Sequence, residues 1–418
     1  MTKYIGPLTV RTGGKTRAAT WNRNLAVQSS PDFFKQFAAA QALATPAVFP
    51  LGVFLADIQT SSDVSNDAAA GLNLYVSLTT DSVLSALAGQ TAMHAILQVE
   101  DTPGVYPWIN SLTANPAQSG ADKVVGWNLG DEVDMNDGPI TGPSHIVSNV
   151  SKIPANDGRF RFINFGKGVA FWETDPQALN FVNHSGIDVL ADDLYWFTDD
   201  DLFIPSQGVQ LLWSDGGGQA PDVRNLSAPE ARAGVNYGAI VRRLRRLALP
   251  SRPVWTFVEL GHPSSDNSRP TITSPQILSA VWHSIIAGAT GIVYFNHSFG
   301  GAYPTSNILR DPNYTDIRAT VTALNQRITS YAPMLNAPTV VGQCSVRTGA
   351  ARWLHKVYSG QNYLLAGSAG VGSQQITFTV PTGSTATVLD ESRSIPIVGG
   401  AFTDTFADGN AIHLYRLD

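Results

Sequence analysis

One rhythm limits what this chain can fold into more than any other feature. A short, near-continuous apolar run, a polar or aromatic end and a helical stretch recur eight times. The runs cover 49–55, 72–78, 95–99, 124–129, 160–165, 187–194, 254–258 and 292–295. A strand with one wet face alternates apolar and polar residues, whereas a strand buried on both faces has no reason to. Eight such runs interleaved with helices predict an α/β fold, a (β/α)8 TIM barrel spanning 46–335. A doubly wound sheet is the alternative, but no Gly-rich phosphate turn follows the first run. Ser274-Pro275 and Asp311-Pro312 each predict a helix start, an N-cap followed by proline at the first helical position.

Past residue 336 the pattern changes. The stretches QQITFTV, TATVLDES, IPIVGGAFTDTF and AIHLYRL are short strands separated by turn residues, and a hairpin is expected around Ser359-Gly360. Residues 336–418 are therefore predicted to form a small antiparallel β-sandwich. Residues 1–45 form an N-terminal arm, open between adding a strand to that sandwich and attaching the protein to something else. The irregular stretch 197–227, with Gly216-Gly217-Gly218, is expected to hang over the C-terminal ends of the strands.

At 418 residues the chain is longer than one compact core usually grows, which agrees with a large domain and a smaller one. A net charge of −6 argues against a nucleic-acid partner. The basic run Arg242, Arg243, Arg245 and Arg246 reads as the solvated face of an amphipathic helix whose apolar face is Val235, Ile240, Leu244 and Leu247. The single cysteine, Cys344, leaves no intramolecular disulfide. The first 20 residues lack the apolar core of a signal peptide, and no run approaches the ~20 apolar residues of a membrane span. Location is thus left open among cytoplasmic, virion-associated and secreted with the signal absent from this chain.

Chemistry concentrates at two strand ends. GWNLGDEVD closes the fourth run with Asp131 and Glu132, and TFVELGHP closes the seventh with Glu259. Two carboxylates on separate strand ends of a barrel can face one another across its mouth. Glycoside hydrolysis needs such a pair, one protonated to donate to the leaving oxygen and one ionised to attack or to activate water. A separation of ~5–5.5 Å makes the reaction retaining and ~6.5–9.5 Å inverting. Glu100-Asp101 and Asp192-Asp193 add acids at the same end, and adjacent strand residues point to opposite faces, so at most one of each pair faces the pocket. No spacing of the 8 histidines suits a metal, DEVDMNDG has its glycine at the wrong offset for a calcium loop, and no P-loop or nucleophile elbow occurs. No cofactor or metal is expected, although Glu100, Asp192 and Glu132 keep a metal-dependent barrel chemistry in view.

These residues resemble the clan-A glycoside hydrolases, barrels with the acid/base after strand four and the nucleophile after strand seven. The likeness rests on Pro50-Leu51-Gly52-Val53, on Gly126 to Glu132, on Phe257-Val258-Glu259 and on Gly288 to Phe295, and it covers most of the chain. A β-sandwich after the barrel is common in such enzymes. The resemblance implies a retaining hydrolase of a poly- or oligosaccharide, cell-wall glycans among them, with Glu132 as acid/base and Glu259 as nucleophile. Tyr195 matches the position of a tyrosine that holds the nucleophile. Asp131 stands where the clan usually has an Asn that contacts the sugar 2-hydroxyl, and Val133 replaces a common Pro. Aromatic rings stack on the C–H faces of sugars, so Trp172, Trp196 and Phe299 are platform candidates, while Trp127 and Trp255 are expected in the core. Asn128, His262, His297 and Glu100 complete the candidate substrate contacts. The alternative is a non-catalytic carbohydrate-binding or structural component of a phage tail or cell-surface assembly built on the same barrel.

Overall fold

The computed structural model describes residues 31–203 and 226–418. Eight parallel strands form one sheet: β1 (Leu51–Phe54), β2 (Leu74–Leu78), β3 (His94–Gln98), β4 (Val124–Asn128), β5 (Phe160–Phe165), β6 (Val189–Asp192), β7 (Thr256–Glu259) and β8 (Ile292–Phe295). They pair in sequence order, with β1 also beside β8. The Leu190–Val254 bridge brings β6 to β7, the Trp255 amide donating to the Leu190 carbonyl at 2.7 Å, and the ring closes as a barrel. Inward side chains such as Phe54, Ile96, Phe162, Trp255 and Val293 fill its interior, and outward ones pack beneath the helices. Both faces are dry, which is why the runs do not alternate.

The helices between strands are α1 (Ser61–Ala69), α2 (Pro107–Ala114), α3 (Val133–Thr141), α4 (Ser144–Val150), α5 (Asp175–Val182), α6 (Ala228–Ala231), α7 (Val235–Leu247), α8 (Ser274–Ile286) and α9 (Thr315–Leu335). After β2 a single 3-10 turn, Leu84–Leu87, takes the place of a helix. The N-cap of α8 is Thr273, in a capping box with Gln276, one residue before the expected Ser274. Asp311 caps as expected, but through a 3-10 turn, Pro312–Tyr314, that runs into α9. Of the arm, residues 31–43 form two 3-10 turns against the N-terminal end of the barrel, where Phe34 and Phe37 pack on Phe160 at 5.4 and 6.1 Å. Residues 1–30 of the arm lie outside the described residues, as do 204–225 of the long irregular stretch.

The basic run contradicts its sequence reading. Arg242, Arg243 and Arg245 on α7 are 2% exposed, not solvated. The α7 helix lies between α8 and the segment around α5, and its guanidinium groups meet carbonyls where water was expected. Arg243 donates to the Val169 carbonyl at 2.6 Å and the Glu173 carbonyl at 3.0 Å and pairs with Asp175 at 3.0 Å; Arg245 donates to the Arg252 carbonyl at 2.8 Å. Such partners make buried charge tolerable.

The C-terminal part has β9 (Ser345–Thr348), β10 (Ala351–Tyr358), β11 (Gln361–Ser368), β12 (Gln374–Thr379), β13 (Thr385–Val388), β14 (Arg393–Pro396), β15 (Ala401–Phe406) and β16 (Ile412–Leu417). They make antiparallel sheets of order β10-β11-β16-β13-β14 and β15-β12-β9 around Phe378, Phe402, Phe406 and Tyr415. Ser359 and Gly360 turn the β10–β11 hairpin with φ of +50° and +77°, the positive pair a two-residue turn of this hand requires. Leu354, Leu365 and Leu414 of this part belong to the same apolar cluster as the outer layer of the barrel.

Candidate active site

The C-terminal ends of β4 to β8 converge on a set of carboxyl groups, each seated by its own element. Glu259 is the last residue of β7 and is wholly buried. Tyr237, on α7, donates its hydroxyl to the Glu259 carboxylate, 2.8 Å from each oxygen, and Thr198 donates at 3.0 Å to Oε1. Burial pushes this carboxyl up to about 7, while the two hydroxyls and the nearby Arg232 favour its anion.

Glu132 reaches the mouth by another route. It caps α3 with a left-handed backbone, φ +47°, and its amide donates to the Asn164 carbonyl of β5 at 3.1 Å. A β-carbon at Gly166 would stand 2.9 Å from Glu132 Oε1, so the turn after β5 needs glycine to let this side chain in. Glu132 is half-buried. Burial, then the neighbouring Asp131 and Asp134, push its carboxyl up to about 7, against Asp193 and Lys167. The two glutamates thus sit in opposite company: hydroxyl donors surround Glu259, and acids surround Glu132.

The buried Tyr195 hydroxyl feels the charge of both glutamates. Asp131 accepts from the Asn164 side-chain amide at 2.7 Å. The rim is tied by ion pairs: Asp199 meets Lys167 at 3.0 Å and Arg269 at 2.8 Å, and Asp200 meets Arg232. An aromatic ladder, Tyr195–Phe295–His297–Phe299, climbs outward with centroids 5.2 to 5.8 Å apart, ending on Phe299 at 56% exposure. A separate groove of about 820 Å³ opens at the opposite end of the barrel, lined by His94, Asp122 and Arg159, where no carboxyl pair faces it.

The sequence matches no known protein-family profile and no curated protein. Solved structures do match. A glycoside hydrolase superposes with a TM-score of 0.54 at 12% identity, over 89% of this chain and 93% of its own. A noncanonic maltogenic alpha-amylase, AmyB from Thermotoga neapolitana, superposes with a TM-score of 0.51 at 7% identity, over 89% and 99%. This chain has the fold of those hydrolases. It shares their barrel and the antiparallel sheets that follow, as the sequence reading expected.

Several residues singled out from sequence stand elsewhere than expected. Tyr195 does not hold Glu259; its hydroxyl donates to Asp193 at 3.3 Å, and Tyr237 takes the place at the β7 carboxylate. Trp196 is 1% exposed, edge-on to Phe171, and cannot serve as a platform. His262 is buried, with both ring nitrogens engaged by Thr271 and the Asp266 carbonyl. Asn128 is buried on β4 and donates to Ser77 at 2.8 Å. Glu100 pairs with His145 at 3.0 Å and accepts from the Gly104 amide at the rim. Trp172, at 39% exposure, and Phe299 do face solvent, and His297 stacks on Phe299. Tyr237, Thr198 and Asn164 went unread. A tyrosine inside an amphipathic helix looks like any core residue, and nothing local marks its reach to another strand.

Among the described residues no cluster of three or more His, Cys, Asp or Glu can hold a metal ion. No described helix is long and apolar enough to cross a membrane.

Proposed function

We propose that this protein is a retaining glycoside hydrolase of a poly- or oligosaccharide, with Glu132 as general acid/base and Glu259 as nucleophile. The observation that carries the reading is the opposite company of the two carboxyls. Two hydroxyl donors at Glu259, Tyr237 placed against both oxygens and Thr198 on Oε1, favour the anion that attacks the anomeric carbon. Acids around Glu132 favour the neutral form that protonates the leaving oxygen. Glu132 then takes a proton from the water that releases the glycosyl-enzyme. Asp131 is poised to accept from a sugar hydroxyl, and Phe299 and Trp172 offer exposed faces to sugar rings. The solved neighbours support a carbohydrate as the partner.

A 2-deoxy-2-fluoro glycoside panel, read by peptide mass spectrometry, tests this. The label is expected on the peptide carrying Glu259 and absent in Glu259→Gln; label on another residue removes the assignment. One observation favours a second reading: Glu259 is wholly buried. A barrel whose β7 carboxyl stays closed to the substrate would bind a glycan without cleaving it. Glycan-array binding with no label and no hydrolysis would establish that reading instead.

A further inference from the structure

Glu132 sits in strained backbone. A non-glycine residue at φ +47° is uncommon and persists where its surroundings hold it there. Ties to the end of β5 flank it. Its own amide donates to the Asn164 carbonyl at 3.1 Å. Two residues on, the Asp134 carboxylate takes two backbone donors, the Gly166 amide at 2.9 Å on Oδ1 and the Val169 amide at 2.6 Å on Oδ2. Asp134 is 1% exposed, and a carboxylate is tolerated there because both of its oxygens are hydrogen-bonded. The turn it holds is also held from α7: Arg243 donates to the Val169 carbonyl at 2.6 Å, within the π-helical turn Gly168–Trp172. Turns of this kind gather at functional sites. Backbone lies directly on side chain here. A β-carbon at Gly168 would stand 2.6 Å from Asp134 Oδ2, and one at Gly166 would stand 2.9 Å from Glu132 Oε1 and 2.6 Å from Met135 Sδ.

We propose that Asp134 aims Glu132: by holding the Gly166 and Val169 amides it sets the turn after β5 against the Glu132 side chain, and so fixes the path by which that carboxyl enters the mouth. The inference rests on the glycosidase reading only for the use made of Glu132. Asp134, in the first turn of α3, touches no reacting atom and is a positioning residue. Both of its bonds are to main-chain donors, so they fix backbone rather than a neighbouring rotamer. Among side chains of this length only aspartate offers two acceptor oxygens; an asparagine would turn its amide donors toward one of the two backbone N–H groups. The aim matters because a general acid acts only within hydrogen-bond reach of the leaving oxygen. A misplacement of about 1 Å costs on the order of 10²-fold in rate.

The test joins amide hydrogen exchange, read residue by residue on the full chain, to kcat/KM on aryl glycosides of graded leaving group. Asp134→Asn is expected to speed exchange at Gly166 or Val169, and with it at Glu132, by roughly tenfold or more, the scale of one hydrogen bond to a charged group. Exchange unchanged at Glu132, whether or not the turn quickens, overturns the proposal, because the turn is then no lever on the acid. On the glycosides, a dinitrophenolate departs with little need of a proton, whereas a methylphenol needs one from Glu132. The loss in Asp134→Asn should therefore be at least about tenfold larger for the methylphenyl glycoside than for the dinitrophenyl one. An equal loss on both marks a merely structural role and overturns the proposal. Should Asp134→Asn not fold, Gly166→Ala presses on the same side chain from the turn, and the same inequality is expected; its absence again overturns the proposal. If the wild-type chain cleaves none of the series while exchange at Glu132 responds to Asp134→Asn, the positioning stands and the glycosidase reading alone fails.

Discussion

At Glu259 two effects oppose one another: burial favours the neutral acid, and the Tyr237 and Thr198 hydroxyls favour the anion. Removing a hydroxyl shows which residue sets the balance. Tyr237→Phe keeps the ring and deletes the one donor that lies against both oxygens, so the carboxyl should titrate higher than about 7. The acidic limb of kcat/KM moves to higher pH by about one unit, the scale of one hydrogen bond to a charged group, while the basic limb stays. A profile unchanged on its acidic side would mean that Glu259 does not act as an anion. That Glu132 and Glu259 stand at the ends of β4 and β7 was legible because each closes an apolar run. Their supports were not. Glu132 adopts a left-handed backbone that no residue type announces, and Trp196, one residue from Tyr195, looked like a loop aromatic while folding inward onto Phe171.

Among the elements, α7 shows how periodicity can mislead. Its apolar positions were assigned to the core correctly: Val235, Ile240, Leu244 and Leu247 are buried. The opposite face was expected in water only because arginine usually is. Sequence cannot show that carbonyls of Val169, Glu173 and Arg252 stand ready for the guanidinium groups, since Val169 lies in a short π-helical turn, Gly168–Trp172, and the other two outside any helix or strand. Arg243→Ala should therefore destabilise far more than a surface change. It strands two buried carbonyls and leaves a cavity, at a cost of about 3 kcal/mol. Thermal unfolding checks this; a shift within the range of an exposed Arg→Ala control would show that the carbonyls find other donors. The strands were easier to place, because an apolar run needs no partner identity to be read, and even β6 shrank only at its ends, from 187–194 to Val189–Asp192.

For the whole molecule the raised carboxyls add up. Glu132 and Glu259 at about 7 and Glu173 at about 8, each lifted first by burial, bind protons more tightly folded than unfolded. Their stabilisation is complete below the unfolded value near 4.5 and is lost as pH rises through 7 to 8. Asp63, Asp175 and Asp404 shift downward and lose theirs only in acid, below about 4. Burial holds five histidines down, His283 to about 3, and they add stability as pH rises toward 6.5. Thermal stability is therefore expected to fall from about pH 6.5 to pH 8, and Glu259→Gln to flatten part of that fall. A wild-type curve that is level or rising over this window would contradict the account. The junction between barrel and sheets bears on how the chain comes apart. Leu354, Leu365 and Leu414 are packed with the barrel's outer layer, and buried Lys356 donates to the Ala337 carbonyl at 2.7 Å. A boundary sealed this way gives the two regions no independent melting point. Calorimetry should record a single peak, and a chain cut after Leu335 should lose its barrel along with its sheets.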